Sequence, residues 1–501
     1  MQHHLIRSTP KRPSLVLCLF FSAVLSVACK TQAEQPETGG SAAAGFGTFE
    51  RPFSAQSYWN SRPTGVELGD FQIPDSTYRP LVGEGPYSTT AFLADENDSP
   101  QQVFGIAGKP GLWELDGEQF IPNVTIPRWP SETIPARGSD GHADIVDPID
   151  GVIHSFLNLK KDQEGRWTAS MYAWTRLDGR GWGDPSHYYQ GARAAAVPPM
   201  AGLVRRHEVN DGQPLYRHAL AMSLTYNGLS SETGYVFPAT SADRTWKENT
   251  GGIPEGALLM LPEEFDTNLI NDPGLRKIAE TLKVYGAYVV DRNHGTPFYI
   301  YVENGSKFEF QKPKWDASVT KDLKRIQKAL RQVVAVQGWV DGHGKEFDAV
   351  ENLNLISMRG PWVKTEGSGE ARYDTWTQSM VITDDASAGS EFQHRNNRSF
   401  SAVDWARMKA GKSYALQFKA SEGIQMELKI FGTKGKRMLF NSHWLNNGDS
   451  VKFTWPGEHT RTVITVRKTA GDGKEGRARA LVYPEEEFVA NPLSKMASKL
   501  N

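Results

Sequence analysis

The chain has 501 residues, with 56 Lys and Arg against 58 Asp and Glu and a formal net charge of −2. A near-balanced charge without a basic block argues against a nucleic-acid binder. Two cysteines, Cys18 and Cys29, leave no material for a disulfide framework, a Cys-ligated zinc or a cysteine nucleophile in the folded part. The 14 Trp, 16 Tyr and 23 Phe are more informative. Many belong to a core, but aromatic faces also stack on the C–H faces of sugar rings, which points an exported protein towards glycans.

The amino terminus carries His3, His4, Arg7, Lys11 and Arg12, then an apolar run from Leu15 to Ala28. Such a run is too short to span a bilayer in the mature protein and reads as an export signal. It ends in Ser26-Val27-Ala28-Cys29, which resembles the lipobox of bacterial lipoproteins, with Leu25 one place from the usual position. The resemblance implies lipidation of Cys29 after removal of residues 1–28, and a place in the bacterial cell envelope, at the outer membrane. An ordinary secretory signal cleaved near Ala28 is the alternative. Residues 30–45 are polar, small and Gly/Ala-rich, a flexible tether.

The remaining residues suffice for two or three domains. From 46 to about 340 the pattern is mainly β: short apolar runs between Gly/Pro turn signals. Residues 142–147 and 152–159 around Pro148–Gly151 predict a hairpin, followed by a strand over Arg166–Trp174. More strands are predicted at 217–225, 234–238, 257–261, 285–291 and 297–303. Two helices interrupt them. One follows Asp272-Pro273 with Leu275, Ile278, Ala279 and Leu282 on one face; the other carries the stripe Leu323, Ile326, Leu330, Val333 and Val334. Residues 337–350 predict a domain boundary.

From 350 to 490 strands recur at 413–420, 426–432, 450–455, 462–468 and 478–484, an antiparallel sandwich. Ala410-Gly411-Lys412-Ser413-Tyr414 resembles the jelly-roll carbohydrate-binding modules attached to bacterial glycan-degrading enzymes. The expected fold is therefore a β-sandwich or jelly-roll-like domain of catalytic size with two inserted helices, followed by a second β-sandwich.

Three constellations could carry chemistry. The first is Asp140-Gly141-His142-Ala143-Asp144, where His142 could act as a base oriented by Asp144. If Asp147 pairs with Val152, His154 falls on the face opposite His142; a one-residue slip reverses this. The second is the loop Asp184–Arg193, with His187, Tyr188, Tyr189 and Arg193, preceded by Trp182. The third is Arg217-His218, opening an apolar strand. Each has a plain structural alternative in turn, loop or core packing. Together with Trp59-Asn60, Pro198–Arg205, Tyr235–Ala239 and Tyr285–Asp291, these segments resemble a broad family of exported bacterial β-rich proteins. That resemblance implies one continuous domain over residues 53–305 and no settled mechanism. Thr240-Ser241 stand where relatives often have a His, which weakens a site built on three histidines.

Three functions follow. A polysaccharide lyase would use His142 as base, Tyr189 or Tyr188 as acid, and Arg193 or Arg217 to neutralise a uronate carboxylate, with His218 a further catalytic candidate. Arg217, Tyr188, His187, Asp144 and Trp182 would line its substrate site. A glycoside hydrolase would use a pair among Asp144, Asp147, Glu255 and Asp291. A non-catalytic glycan-binding lipoprotein would use the aromatics alone. No cofactor is expected, with a divalent metal on His142, His154 and His218 as the alternative. The partners are a polysaccharide and, through the lipid only, a membrane; the chain is expected to be a monomer.

Overall fold

The computed structural model describes residues 45–183, 187–308, 317–349, 354–394, 407–432, 437–457, 461–470 and 473–485, with Phe400, Val403 and Trp405. The segments expected to be an export signal and tether, except Gly45, lie outside the described residues, as do Cys29 and residues 184–186. Among the described residues no helix is long and apolar enough to cross a membrane.

The protein is mainly β. Its centre is a six-stranded sheet formed by β1 (Ala91–Leu93), β2 (Leu112–Glu114), β3 (Gln119–Ile121), β4 (Ala143–Asp147), β5 (Val152–Leu157) and β6 (Met171–Arg176), in the order β1-β4-β5-β6-β2-β3. The β4–β5 hairpin forms where the sequence predicts it. Asp147 closes the turn by accepting hydrogen bonds from the N–H groups of Ile149 and Asp150 at 3.0 and 3.2 Å. Gly151 supplies the left-handed φ of +66° that the turn needs. The register pairs Val152 with Asp147 and His154 with Ile145. The expected strand at 166–174 is broken at Ser170: Trp167–Ala169 leaves for a four-stranded sheet, while β6 stays in the central one.

Both faces of the central sheet are covered, so period-two alternation sorts its side chains between two cores. Ile145, Val152, Phe156, Leu112 and Tyr172 pack against Val103, Val124, Ile126 and Trp167 of the four-stranded sheet. Val146 and Ile153 face the other way, towards a seven-stranded sheet.

That sheet is built on β7 (Leu220–Thr225), β8 (Leu258–Met260), β9 (Ala287–Asn293) and β10 (Phe298–Tyr301). Leu220, Met222 and Leu224 point to the helices α1 (Pro273–Val284) and α2 (Ala317–Ala329). Ala219 and Ala221 point to a stack of Trp59 on Trp182, 4.8 Å apart and 5° from parallel. The small residues on that face leave room for the indoles. Helix α1 starts as expected, with Asp272 accepting from Leu275 N at 2.9 Å and Pro273 in the first turn. The second apolar stripe outruns its helix: α2 ends at Ala329, and Val333 and Val334 lie in the strand Arg331–Ala335. Residues 234–238 form only a bridge, Tyr235 to Glu255. Residues 338–340 and 346–347, within the expected boundary, pair into a small sheet with Arg62–Thr64.

The carboxy-terminal strands form a ten-stranded arrangement. Ser413–Ala420 matches the alternating run expected there. Trp362, Leu416, Phe418, Met426, Leu428, Ile430, Val466 and Val482 fill its core. It touches the central sheet through named contacts: Trp174 Nε1 donates to Thr375 Oγ1 at 3.0 Å, and Arg359 pairs with Glu118 at 3.0 Å.

The Trp59–Trp182 stack sets a sharp steric test. Gly202 has φ +65°, and a Cβ there would lie 2.4 Å from Trp59 and 2.7 Å from the Ala221 nitrogen. Gly202→Ala is expected to cost at least about 2 kcal/mol in urea unfolding, from left-handed strain plus overpacking. Gly212→Ala, with φ +74° and no atom within 4 Å, should cost about 1 kcal/mol, from the strain alone.

Candidate active site

A cavity of about 630 Å³ opens on the face of the central sheet that looks towards β9. From the central sheet come Trp113, Leu157 and Met171, with Asp140 and His142 from the segment entering β4. Asp291 comes from β9, Asp243 and Arg244 from the segment after the Tyr235–Ala239 stretch, and Tyr189 and Arg193 from the loop before Pro198. The volume lies within the range usual for ligand pockets, roughly 300–1,000 Å³.

The Arg193 loop is held by its backbone. Gln190 N donates to Ala196 O at 2.9 Å, and Arg193 N to Val197 O at 3.1 Å. Ala195 N donates to Val290 O at 3.1 Å, which pins the loop to β9 next to Asp291. Gly191 is required because a Cβ would lie 2.1 Å from Pro198 N. The buried Arg193 guanidinium then pairs with Asp291 Oδ2 at 3.0 Å and lies 3.9 Å over the Tyr301 ring. Its Nε and Nη2 have no hydrogen-bond partner among the described residues. A buried guanidinium with unused donors is costly unless a ligand or water meets them.

The carboxylates make the site electrostatically distinctive. Burial raises Asp291 to about 7, Arg193 pulls it down, and the like charges of Asp243 and Asp140 push it up. Asp243 is also raised, by burial first, although Arg292 N donates to it at 3.0 Å. Behind it, Glu255 is raised far above the carboxylate range by burial and by Asp243 and Asp291. Its Oε1 accepts from Asp243 N at 3.1 Å. Carboxyls held near neutrality by burial and mutual repulsion can take and give a proton at physiological pH.

His142 is buried at the cavity wall, and its Nδ1 lies 3.3 Å from Phe156 O. A carbonyl can only accept, so Nδ1 carries the proton and Nε2 keeps its lone pair. Burial, then Arg193, lower its pKa to about 3. The imidazole is thus neutral at pH 7, but a weak base.

Three of the four expected catalytic residues, His142, Tyr189 and Arg193, meet in this cavity. The others are placed elsewhere. His218 bonds Ala219 O at 2.8 Å and Glu208 at 3.2 Å, so both ring nitrogens are occupied. Arg217 is exposed beside it. Tyr188 packs with Val403 in a small apolar cluster that Tyr189 also touches, and the Arg359 guanidinium lies 4.8 Å over each tyrosine ring. His187 packs on Trp174 at 4.5 Å. Asp144 is fully buried, accepting from Ser155 Oγ and Met200 N at 2.6 Å each, and ties the 197–204 segment to β4. Trp182 is core, stacked on Trp59. Asp144 and Trp182, both buried, line neither the 630 Å³ cavity nor the other cavities described among these residues.

Asp147 is consumed by its turn and by Arg128 at 2.8 Å. His142 and His154 lie on opposite faces of one sheet, so the proposed three-histidine metal set is not assembled. Among the described residues no group of three His, Asp or Glu is arranged to hold a metal. Asp243 and Trp113 are site residues that sequence reasoning passes over. The signal for Asp243 is its place four residues after the Pro238-Ala239 pair.

No family model matches the chain, and no curated protein matches it. Three solved structures show partial likeness. The glycosylation associate protein (Gap123) complex from Streptococcus agalactiae is 10% identical at a TM-score of 0.18, over 26% of this chain and 44% of that one. The accessory secretory protein 1, 2 and 3 structure from Streptococcus pneumoniae is 11% identical at 0.18, over 27% and 99%. A CBM51 from Clostridium perfringens GH95, in complex with methyl-galactose, is 13% identical at 0.13, over 26% and 79%. The chain spans less than half of the first. At these TM-scores none assigns a function to this chain.

The His218–Glu208 pair gives a pH test of the scaffold. Burial alone would raise Glu208, but His218 and the Arg205 N–H bring it down to about 2. Burial alone would lower His218, but Glu208 raises it. Glu208 therefore contributes stability above its ordinary value of 4.5, lost as pH falls towards 2; His218 contributes below 6.5, lost as pH rises through its raised value. Urea unfolding across pH should show wild type losing on the order of 2 kcal/mol more than Glu208→Gln between pH 4.5 and 2.

Proposed function

We propose that the protein is an exported, Cys29-anchored glycan-degrading enzyme. It would hydrolyse glycosidic bonds of a neutral glycan in the cavity around Asp291. One observation carries the choice: the cavity groups Asp140, Asp243 and Asp291 around one buried guanidinium, with Asp243 and Asp291 raised by burial.

The reasoning separates the two enzymatic alternatives. β-Elimination of a uronate needs a competent base and an uncommitted cation for the substrate carboxylate. His142 is a poor base with its pKa near 3. Arg193 is paired with Asp291 at 3.0 Å. The cavity lining holds four acidic residues, Glu118, Asp140, Asp243 and Asp291, against Arg193 and Arg244. The acids outnumber the guanidiniums, so a uronate carboxylate finds no surplus of positive charge there.

Hydrolysis needs a carboxylic acid to protonate the leaving oxygen and a carboxylate to activate water or attack. Asp291, with its pKa raised to about 7, is suited to the acid role. Asp243 or Asp140 supplies the carboxylate. Trp113 and Tyr189 offer aromatic walls for sugar rings, and His142 Nε2 offers an acceptor for a sugar hydroxyl. The export signal supports a substrate outside the cytoplasm.

The test is a screen of the purified protein on neutral and uronate polysaccharides, following reducing ends and near-ultraviolet absorbance in parallel. Reducing ends without absorbance are expected. Asp291→Asn should lower kcat on the substrate found by about 10²–10⁴-fold, with His142→Ala affecting KM more than kcat. Absorbance on a uronate polymer, abolished by His142→Ala, would establish the lyase instead. Binding without turnover would leave a glycan-binding lipoprotein.

A further inference from the structure

A second cavity, of about 420 Å³, lies on the opposite face of the central sheet, where it meets the carboxy-terminal sandwich. The strand parity is explicit. Trp113 and Leu115 face the first cavity and Glu114 the second; Leu157 faces the first, Val152 and His154 the second. The two sites are separated by the thickness of a sheet.

Trp376 forms one wall. It is 48% exposed, although a large indole normally has strong reason to be covered. One of its faces is stacked on Trp174, 4.5 Å away and 15° from parallel. Trp174 is itself fixed by the bond from its Nε1 to Thr375 Oγ1, and Trp376 N donates to Asp374 Oδ1 at 3.1 Å. The open face is therefore held in place before any ligand arrives, which lowers the ordering cost of binding. Beside it is His154, 1% exposed and lining the same cavity. Its Nδ1 is 2.9 Å from Tyr172 Oη, and its Nε2 has no partner among the described residues.

The charges around this cavity are already matched. Asp150 pairs with Arg128 at 2.6 Å, Arg372 with Glu475 at 3.2 Å and Asp374 with Arg477 at 2.6 Å. Glu114 is raised to about 7 by burial, while its bond from Gln119 and Arg372 oppose the shift. Asn123 and Thr125 add uncharged polar groups. A flat, preset aromatic face ringed by neutral donors and acceptors suits a ligand that is apolar on its ring face and hydroxylated at its edge.

We infer that this junction is a second, non-catalytic binding site for a neutral pyranose, with Trp376 as its platform. Its ligand would be held on the far side of the sheet from the Asp291 cavity. The site would then keep a polymer near the enzyme without occupying the catalytic cleft. The inference stands whether or not the first cavity hydrolyses glycans.

Isothermal titration of the full chain with neutral tetra- to hexasaccharides of glucose, xylose, mannose and galactose tests it. At least one should bind wild type and Asp291→Asn with equal affinity. Trp376→Ala should weaken that binding at least tenfold and Trp376→Phe at least threefold, with near-ultraviolet circular dichroism confirming the fold. If Trp376→Ala fails to fold, Trp376→Phe decides. Silence across the panel overturns the inference, as does unchanged affinity in Trp376→Phe. Trp376-dependent binding without any turnover would sink the hydrolase reading and leave this one standing.

Discussion

The register of one hairpin governs what this protein can present to a ligand. Asp147 opposes Val152 across the β4–β5 turn. A shift of one residue would exchange every side chain of a strand between the two faces of the sheet. It would bring His154 to the wrong cavity and put Asp144 into the wrong core. Both faces are buried, so the register is enforced from two directions: by Ile145, Val152 and Phe156 on one side and by Val146 and Ile153 on the other. The Asp147 turn, with its two accepted N–H groups, sets the alignment at the closed end.

The Asp291 cavity shows what such a rigid frame can hold. A buried guanidinium, an acid at 3.0 Å and further acids beside them do not fold together for stability, since paired buried charges seldom repay their desolvation. Backbone bonds within the 190–197 loop, and one from Ala195 N to Val290 O of β9, impose the arrangement. The result is a group of carboxyls that resist full ionisation, next to an imidazole that resists protonation. Imidazole and guanidinium in one loop suggest elimination chemistry when read as letters. In space the guanidinium is paired with Asp291, and under the proposed function the carboxyls are the reactive groups.

Much of the architecture was legible in the sequence. The hairpin, both helices and the alternating run at 413–420 follow from local pattern, because the hydrophobic period and the turn residues are local properties. His142, Tyr189 and Arg193, singled out by chemical type beside turn signals, line one cavity. The burial of Trp182 and Asp144 could not be read locally, because it is decided by distant partners, Trp59 in one case and Met200 in the other. His218 looked reactive for the same reason; its partner Glu208 lies ten residues away across a turn. Asp243 was missed because its proximity to Asp291 depends on the packing of the 240–245 segment against β9, which no periodicity records. Trp376 could not be singled out among 14 tryptophans before Trp174 was seen beneath it.

The most direct test of the account is the titration of Asp291 itself, by carbon-13 NMR of labelled aspartate carboxyls, assigned through Asp291→Asn. The account expects a midpoint near pH 7 that falls when Asp243 is changed to Asn, because a like charge has been removed. A midpoint near 4, unmoved by that change, would show Asp291 as a plain partner of Arg193 and contradict the acid role assigned to it.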